Sequence, residues 1–353
     1  MELATARHSS GMPRNVSAIV IHEFGVPAEV ARVESVALPA LTTQAARVRM
    51  LAAPINPADL NVLEGKYPIR PELPGVPGVE GVGGVAEIGA GVKTLRVGDR
   101  VLLPHGLGAW REEAVVAEAD GALPVVPPEV PVEQAAMLRI NPATALRLLR
   151  DFAVLAEGDF VVQNAANSAV GRLLIQIARA AKLRTINLVR RPELIDDLQA
   201  WGGDVVLLDS DAAKDQIAAA VGGAKVRLAL NAVGGDSALR LANVLASGGT
   251  LVTFGAMGRQ PLRIPNGLLI FKDLRWRGFW ISQWYREASL ESEAAMFAEL
   301  FDLAKRGVLH TPVERVYPLS EAVAAIQHAA KSQRVGKILF GAPEIVAQFS
   351  GHS

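Results

Sequence analysis

Residues 159–192 read DFVVQNAANSAVGRLLIQIARAAKLRTINLVRRP. Asp159 to Ala165 has the pattern of a buried strand, a turn of small residues follows, and residues 170–183 have helical periodicity. A second strand pattern covers 184–189. Strand, tight turn, helix and strand in that order predict parallel strands joined by a helix. The alternation continues outward. A helix is expected from Pro192 to Trp201, and DVVLLD (204–209), VRLALNAV (226–233) and TLVTFG (250–255) are three more strand patterns with helices between them. Their near-continuous apolar character suits a parallel sheet covered on both faces. The fold class is therefore α/β, with a doubly wound sheet. Ligands in such sheets bind beyond the carboxyl ends of the strands, where the strand order reverses.

Residues 15 to about 135 have a different texture, rich in Val, Pro and Gly. Arg47-Val48-Arg49-Met50 and Gly84-Val85-Ala86-Glu87-Ile88 are short alternating runs, and GAGVKTLRVGDRVLLP (89–104) reads strand, turn, strand. A β-rich, barrel-like domain is expected. PVEQAAMLRINPATALRLLRDF (131–152) then reads as helix. Downstream, residues 292–306 form an amphipathic helix pattern and GKILF (336–340) a late strand. The expected organisation is a first domain over 1–138, to which 285–353 returns, and a second over 139–284, with the ligand cleft between them.

Composition narrows the function classes. The 353 residues are 50% hydrophobic and 20% charged, which is globular. Lysine plus arginine and aspartate plus glutamate both number 36, so nothing points to nucleic acid or an anionic membrane as partner. The absence of cysteine excludes disulfides, thiolate metal sites and a cysteine nucleophile, and fits a cytoplasmic protein. The long uncharged run between Arg240 and Arg259 contains Asn243, Ser247 and glycines, so it reads as helix end, turn and strand rather than a membrane span. The first fourteen residues lack an apolar core and do not read as a secretory signal. An organelle-targeting segment and a loose tail are both open readings there, the tail being the simpler.

The turn Asn164–Gly171 follows a strand and opens a helix. Asn167, Ser168, Ala169, Val170 and Gly171 would let backbone N–H groups approach a pyrophosphate at the helix N-terminus. Only Gly171 remains of the usual GxGxxG spacing, and a plain tight turn is the competing reading. The end of the second strand discriminates further. An NAD site needs a carboxylate there for the ribose 2′-hydroxyl. Arg190 and Arg191 stand there instead, and a guanidinium fork binds a 2′-phosphate. NADPH is the expected cofactor, against the alternative of two solubilising surface arginines.

The ordered segments INPADLNVLEGKYP (55–68), PELPGVPGVEGVGGVAEIGAGVKTLRVGDRV (71–101), NPATALRLLRDF (141–152), VVQNAANSAVG (161–171), RTINLVRRP (184–192), LALNAVGG (228–235), TFGAMGRQP (253–261) and LLIFKDLRWRGFWISQW (268–284) span nearly the whole chain. Together they resemble the medium-chain dehydrogenase/reductase superfamily, and most closely its zinc-independent 2-enoyl thioester reductase branch. The resemblance implies a GroES-like barrel domain, a Rossmann domain and a homodimer. It implies hydride transfer to the β carbon of an enoyl thioester on CoA or acyl carrier protein, then protonation at the α carbon. An NADPH quinone or small enone reductase is the alternative, and a non-catalytic NADPH-binding protein a third reading. Zinc-dependent members of the superfamily use cysteines and a histidine. This chain has no cysteine, has Val79 before Glu80 where histidine is common, and scatters its six histidines. No metal is expected.

By the same resemblance Tyr67 is the expected acid, since a phenol is protonated at neutral pH and can donate to an enolate. A pocket-wall role is its bland reading. Asn56 precedes a proline in an extended context, where its amide could bind cofactor or oxyanion, or close a local turn. Asn141, Lys337, Phe254, Gly255, Ala256, Met257, Phe279, Trp280 and Ile281 occupy the family's cofactor-contacting segments. Trp280 and Trp284, with Phe271 and Phe279, form an aromatic run suited to an acyl pocket or to core packing. Lys66, Arg70, Arg139 and Arg286 are candidates to meet an anionic carrier. Ala169 departs from the branch, which has glycine there.

Overall fold

The computed structural model describes residues 14–117, 119–331 and 334–349. The amino-terminal segment discussed above, with His8, and His352 near the other end lie outside them. In chain order the strands are β1 (Arg14–Val20), β2 (Arg32–Leu38), β3 (Ala46–Pro54), β4 (Val82–Ile88), β5 (Arg100–Leu102), β6 (Glu113–Val116), β7 (Phe160–Gln163), β8 (Arg184–Val189), β9 (Val205–Leu208), β10 (Leu228–Asn231), β11 (Thr250–Thr253), β12 (Arg275–Gly278), β13 (Val313–Tyr317) and β14 (Lys337–Gly341). The chain forms two compact units, one of residues 1–139 with 312–353 and one of residues 140–311.

The second unit is a six-stranded sheet in the order β12-β11-β10-β7-β8-β9, with every neighbouring pair parallel. The order reverses between β7 and β10, which makes their carboxyl ends the switch point. All four residues of β7 and all four of β10 are buried, as strands covered on both faces require. The edge strand β12, Arg-Trp-Arg-Gly, is absent from the sequence reading. Its arginines and glycine are exposed, so it carries no apolar run to be seen.

Helix Leu290–Lys305 also belongs to this unit, burying Met296, Phe297, Leu300 and Leu303. Glu299 pairs with Arg150 at 2.5 Å. Further along, the Gln176 amide donates to His310 O and accepts from His310 N, both at 2.9 Å. The chain accordingly leaves the second unit at residue 312, whereas the sequence reading placed that return at 285. The stretch expected as one helix over 131–152 is two, Val132–Ala135 and Asn141–Arg150. Asn141 opens the second of them, with Pro142 in its first turn, where a missing N–H leaves no bond unmade.

The first unit is built on β13-β14-β3-β4-β5, with β6 also pairing β3, and a separate β1-β2 hairpin. Its last strand is integral. β14 runs antiparallel to β3, and Phe340 packs edge-on against Trp110 at 5.2 Å, with both rings buried. Trp110 Nε1 donates to Pro54 O at 3.3 Å, which satisfies the indole in the core.

Candidate active site

The turn after β7 is shaped by three local devices. Ala165 takes a left-handed conformation, with φ 47°. Ser168 caps the helix Ala169–Ala180 by accepting from Gly171 N at 3.1 Å. Gly171 then permits the helix to sit close: a Cβ there would lie 2.5 Å from Ala166 O. Asn167 is exposed and Ser168, Ala169 and Val170 are half-buried at the helix start. Ala169 is the first helical residue and not a positive-φ position, so alanine in place of the branch's glycine carries no backbone strain.

The neighbouring strand ends are bonded to this turn. Asn164 Nδ2 donates to Asn231 Oδ1 at 2.8 Å, and Asn164 Oδ1 accepts from Ala232 N at 2.7 Å. The segment Phe254–Met257 hangs from the same loop. Phe254 N donates to Asn231 O at 3.0 Å and Met257 N to Ala232 O at 2.9 Å. Gly255 passes so close that a Cβ would meet Ala232 O at 3.0 Å. Phe254 and Gly255 are half-buried, whereas Ala256 and Met257 are exposed. At the end of β8, Arg190 and Arg191 are both exposed, and no carboxylate takes the place an NAD ribose needs. Arg191 has a long ion pair to Glu193 at 3.5 Å.

Among the aromatic candidates, Trp280 immediately precedes the helix Ile281–Glu287 and lies under the Arg286 guanidinium at 5.0 Å. Trp284 stacks beneath Arg147 at 4.9 Å, and Phe279 meets Phe152 edge-on at 5.7 Å. Ile281 is buried. Phe271 is 84% exposed and does not join them, so the aromatic run is a cluster in sequence and only partly one in space.

In the first unit Tyr67 follows the helix Pro57–Leu63 and is half-buried, with its N–H bonded to Asn61 O at 3.1 Å. Asn56 and Lys337 are brought together from opposite ends of the chain. Lys337 Nζ donates to Asn56 Oδ1 at 2.5 Å, and Asn56 Nδ2 donates to Glu80 Oε1 at 2.8 Å. Asp59 accepts from Asn56 N at 2.8 Å and Val79 N at 3.0 Å. All four side chains are buried. Burial pushes the Asp59 carboxyl up to about 6, against the pull of its two backbone donors. Burial likewise lowers Lys337 to about 8, with Glu80 opposing. Asn56 and Lys337, expected to face the cofactor, thus spend their polar atoms on this internal cluster. Glu80 and Asp59 escaped the sequence reading of the site, because their burial and their pairing with Asn56 exist only in the folded chain.

Of the basic candidates, Lys66 pairs with Glu64 at 2.8 Å and Arg70 lies over Phe24 at 5.6 Å. Arg139 is only 3% exposed, so it is not the solvent-facing cation expected of it. Three of the described histidines have unrelated partners: His22 pairs with Glu34, His310 stacks on Trp201, and His328 bonds Tyr317 and Glu314. Among the described residues no group of three or more histidines and acids could hold a metal.

Comparison with known proteins agrees with this architecture. Residues 42–127 match the family described as alcohol dehydrogenase GroES-like domain, and residues 201–339 the one described as zinc-binding dehydrogenase. The chain is 43% identical to the mitochondrial enoyl-[acyl-carrier-protein] reductase of Homo sapiens, over 93% of this chain and 89% of the relative. It is 43% identical to the Mus musculus protein of the same name, over 90% and 87%. Among solved structures, the mitochondrial 2-enoyl thioester reductase heterodimer Etr1p/Etr2p of Candida tropicalis superposes with a TM-score of 0.84 at 26% identity, covering 93% of this chain and 100% of that one. The Etr1p complex with NADP and crotonyl-CoA gives 0.85 at 26% identity, with the same coverage. A mycobacterial quinone oxidoreductase gives 0.82 at 28% identity, covering 93% and 100%. A GroES-like unit, a Rossmann sheet whose first turn is closed by a serine cap, and close sequence kinship to named enoyl reductases converge on one conclusion: this chain belongs to the enoyl thioester reductase branch of the medium-chain dehydrogenase/reductase superfamily.

Proposed function

We propose that the chain uses NADPH to reduce the α,β double bond of a 2-enoyl thioester, with Tyr67 as the proton donor. The observation that carries this reading is the pair Arg190–Arg191 at the end of β8, in a chain 43% identical to an enoyl-[acyl-carrier-protein] reductase. The turn residues fit a dinucleotide. The close-packed Gly171 and the Ser168 cap leave N–H groups at the helix start for the pyrophosphate, and exposed guanidinium groups suit a 2′-phosphate. NADPH when bound supplies a hydride to the β carbon. The protein then has two tasks: to hold the enolate oxygen that develops, and to deliver a proton to the α carbon. Tyr67 carries the second. Phe254–Met257 and Phe279–Ile281 hold the nicotinamide end, and Trp280 and Trp284 flank the acyl chain. Asn56 and Lys337 support the site from within their buried cluster.

The thioester carrier is CoA or acyl carrier protein, which share the reacting group, and the pathway served is fatty acid metabolism. A homodimer joined along β12 is part of the proposal. Among the described residues that edge strand is unpaired on one side, and Leu262, Ile264, Leu269, Ile270 and Phe271, which precede it in the chain, are exposed apolar residues. A cytoplasmic location accords with the lack of cysteine, and cell fractionation tests it. The deciding assay follows NADPH oxidation with crotonyl-CoA, longer enoyl-CoAs and a quinone in parallel. Turnover confined to the quinone overturns the thioester reading.

A further inference from the structure

The carboxyl ends of β7, β9, β10 and β11 are joined by one run of hydrogen bonds that begins at a buried acid. Asp209, one residue past β9, has a side chain only 5% exposed. It accepts from Ser237 Oγ at 2.5 Å and from Arg240 Nε at 2.6 Å. Ser237 has a single hydroxyl proton, so giving it to Asp209 leaves a lone pair to accept from Asn164 Nδ2, at 2.8 Å. That contact, with Asn231 Oδ1 on the other Nδ2 proton and Ala232 N on Oδ1, fixes the Asn164 amide in one orientation. The run ends as Asn231 Nδ2 donates to Thr253 Oγ1 at 3.1 Å. Asp209 also touches the far side of the site through its backbone: its N–H donates to Val189 O at 2.7 Å, directly before Arg190. Arg240 pairs with Asp209 at 2.6 Å and, more loosely, with the exposed Asp211 at 3.4 Å, so the buried carboxylate of the network has its own counter-charge.

We infer that Asp209 is a positioning residue for the cofactor, acting through Ser237 and Asn164 on the turn 164–171 and on the Phe254–Met257 segment. The inference rests on the reading of that turn as the pyrophosphate cradle. None of the three side chains needs to touch the cofactor. They set where the backbone that does touch it begins, which is what preorganisation of a binding site requires.

The test uses the full chain with Asp209→Ala, Ser237→Ala and the conservative Asp209→Asn, which keeps an acceptor for Ser237. Asn167→Asp, which places a charge in the turn itself, is the control. NADPH binding is measured by fluorescence titration, alongside KM for each substrate and Tm. The alanine variants are expected to weaken NADPH binding and raise its KM about tenfold, the scale of one lost buried hydrogen bond. KM for the enoyl thioester should stay within about twofold, and Asp209→Asn should recover most of the NADPH affinity. If Asn167→Asp weakens NADPH binding while both alanine variants bind like the parent, the positioning role is refuted and the turn reading stands. If none of the three weakens it, the turn reading falls as well. Equal rises in both KM values with a lower Tm mean a merely structural role, which also refutes the inference. Should Asp209→Ala fail to fold, Ser237→Ala and Asp209→Asn decide the matter by the same criteria.

Discussion

Gly171→Ala sets two effects of opposite sign against each other. Gly171 lies in the first turn of the helix Ala169–Ala180, where alanine is the better helix former by about 1 kcal/mol. Its new Cβ, however, would stand 2.5 Å from Ala166 O, 2.7 Å from Ala166 C and 2.8 Å from Ala166 Cα. These are backbone atoms and cannot rotate aside. The helix start must withdraw by several tenths of an ångström, an overpacking cost of about 1–3 kcal/mol. That movement also strains the 2.9 Å bond from Gln163 Nε2 to Gly171 O and the 3.1 Å Ser168 cap, each worth about 1 kcal/mol. The sum is a net destabilisation of about 2–4 kcal/mol, or a Tm loss of roughly 5–15 °C for a unit of this size. Because the displaced atoms are the N–H groups proposed to hold the pyrophosphate, KM for NADPH should rise about tenfold. Differential scanning fluorimetry and steady-state kinetics read both effects. A variant with Tm within about 1 °C of the parent and unchanged KM would refute the close-packing argument.

Four further outcomes are expected. Tyr67→Phe should lower kcat roughly 10²- to 10⁴-fold with KM for NADPH little changed, and near-normal turnover would leave Tyr67 a wall of the pocket only. Arg190→Glu with Arg191→Glu should cut kcat/KM for NADPH about 100-fold and that for NADH far less, as comparison of the two reductants will show. Asp59 titrates near 6 in the folded protein, above an ordinary aspartate, so its contribution to stability is full below about pH 4 and lost as pH rises through 6. Urea melts of the parent and Asp59→Asn should therefore diverge in slope between pH 4 and 7, and parallel profiles would remove Asp59 from that role. If the proposed dimer forms, Ile270→Glu with Phe271→Glu should convert it to monomer in light scattering, since both side chains are largely exposed just before β12 in the chain.

The second sheet was legible wherever burial leaves a continuous apolar run, from β7 to β11. It was illegible at β12, because an edge strand with exposed Arg275 and Arg277 has no such run. The turn after β7 could be read locally, since cap, small residues and Gly171 are all neighbours. Pairings across the chain could not. Asn164 and Ser237 are 73 residues apart, and Asn56 and Lys337 are 281 apart, so their pairing is a property of the folded chain. Polar residues ending apolar strands, as Asn164 and Asn231 do, were the visible trace of it. Phe271 is the converse case: adjacency to Trp280 in sequence suggested a shared pocket, and the short helix Asn266–Ile270 turns its ring to solvent instead.

The insertion of β14 beside β3 has a bearing on biosynthesis. Residues 140–311 form one uninterrupted unit and can close as soon as they leave the ribosome, whereas the earlier-made unit waits for a strand encoded after them. Until Phe340 emerges, Trp110 lacks its partner ring and the β3 edge is open. The nascent chain therefore carries a sticky, half-built barrel throughout the translation of its neighbour, and a ribosome stalled before residue 337 would release a cofactor-binding half attached to an aggregation-prone one.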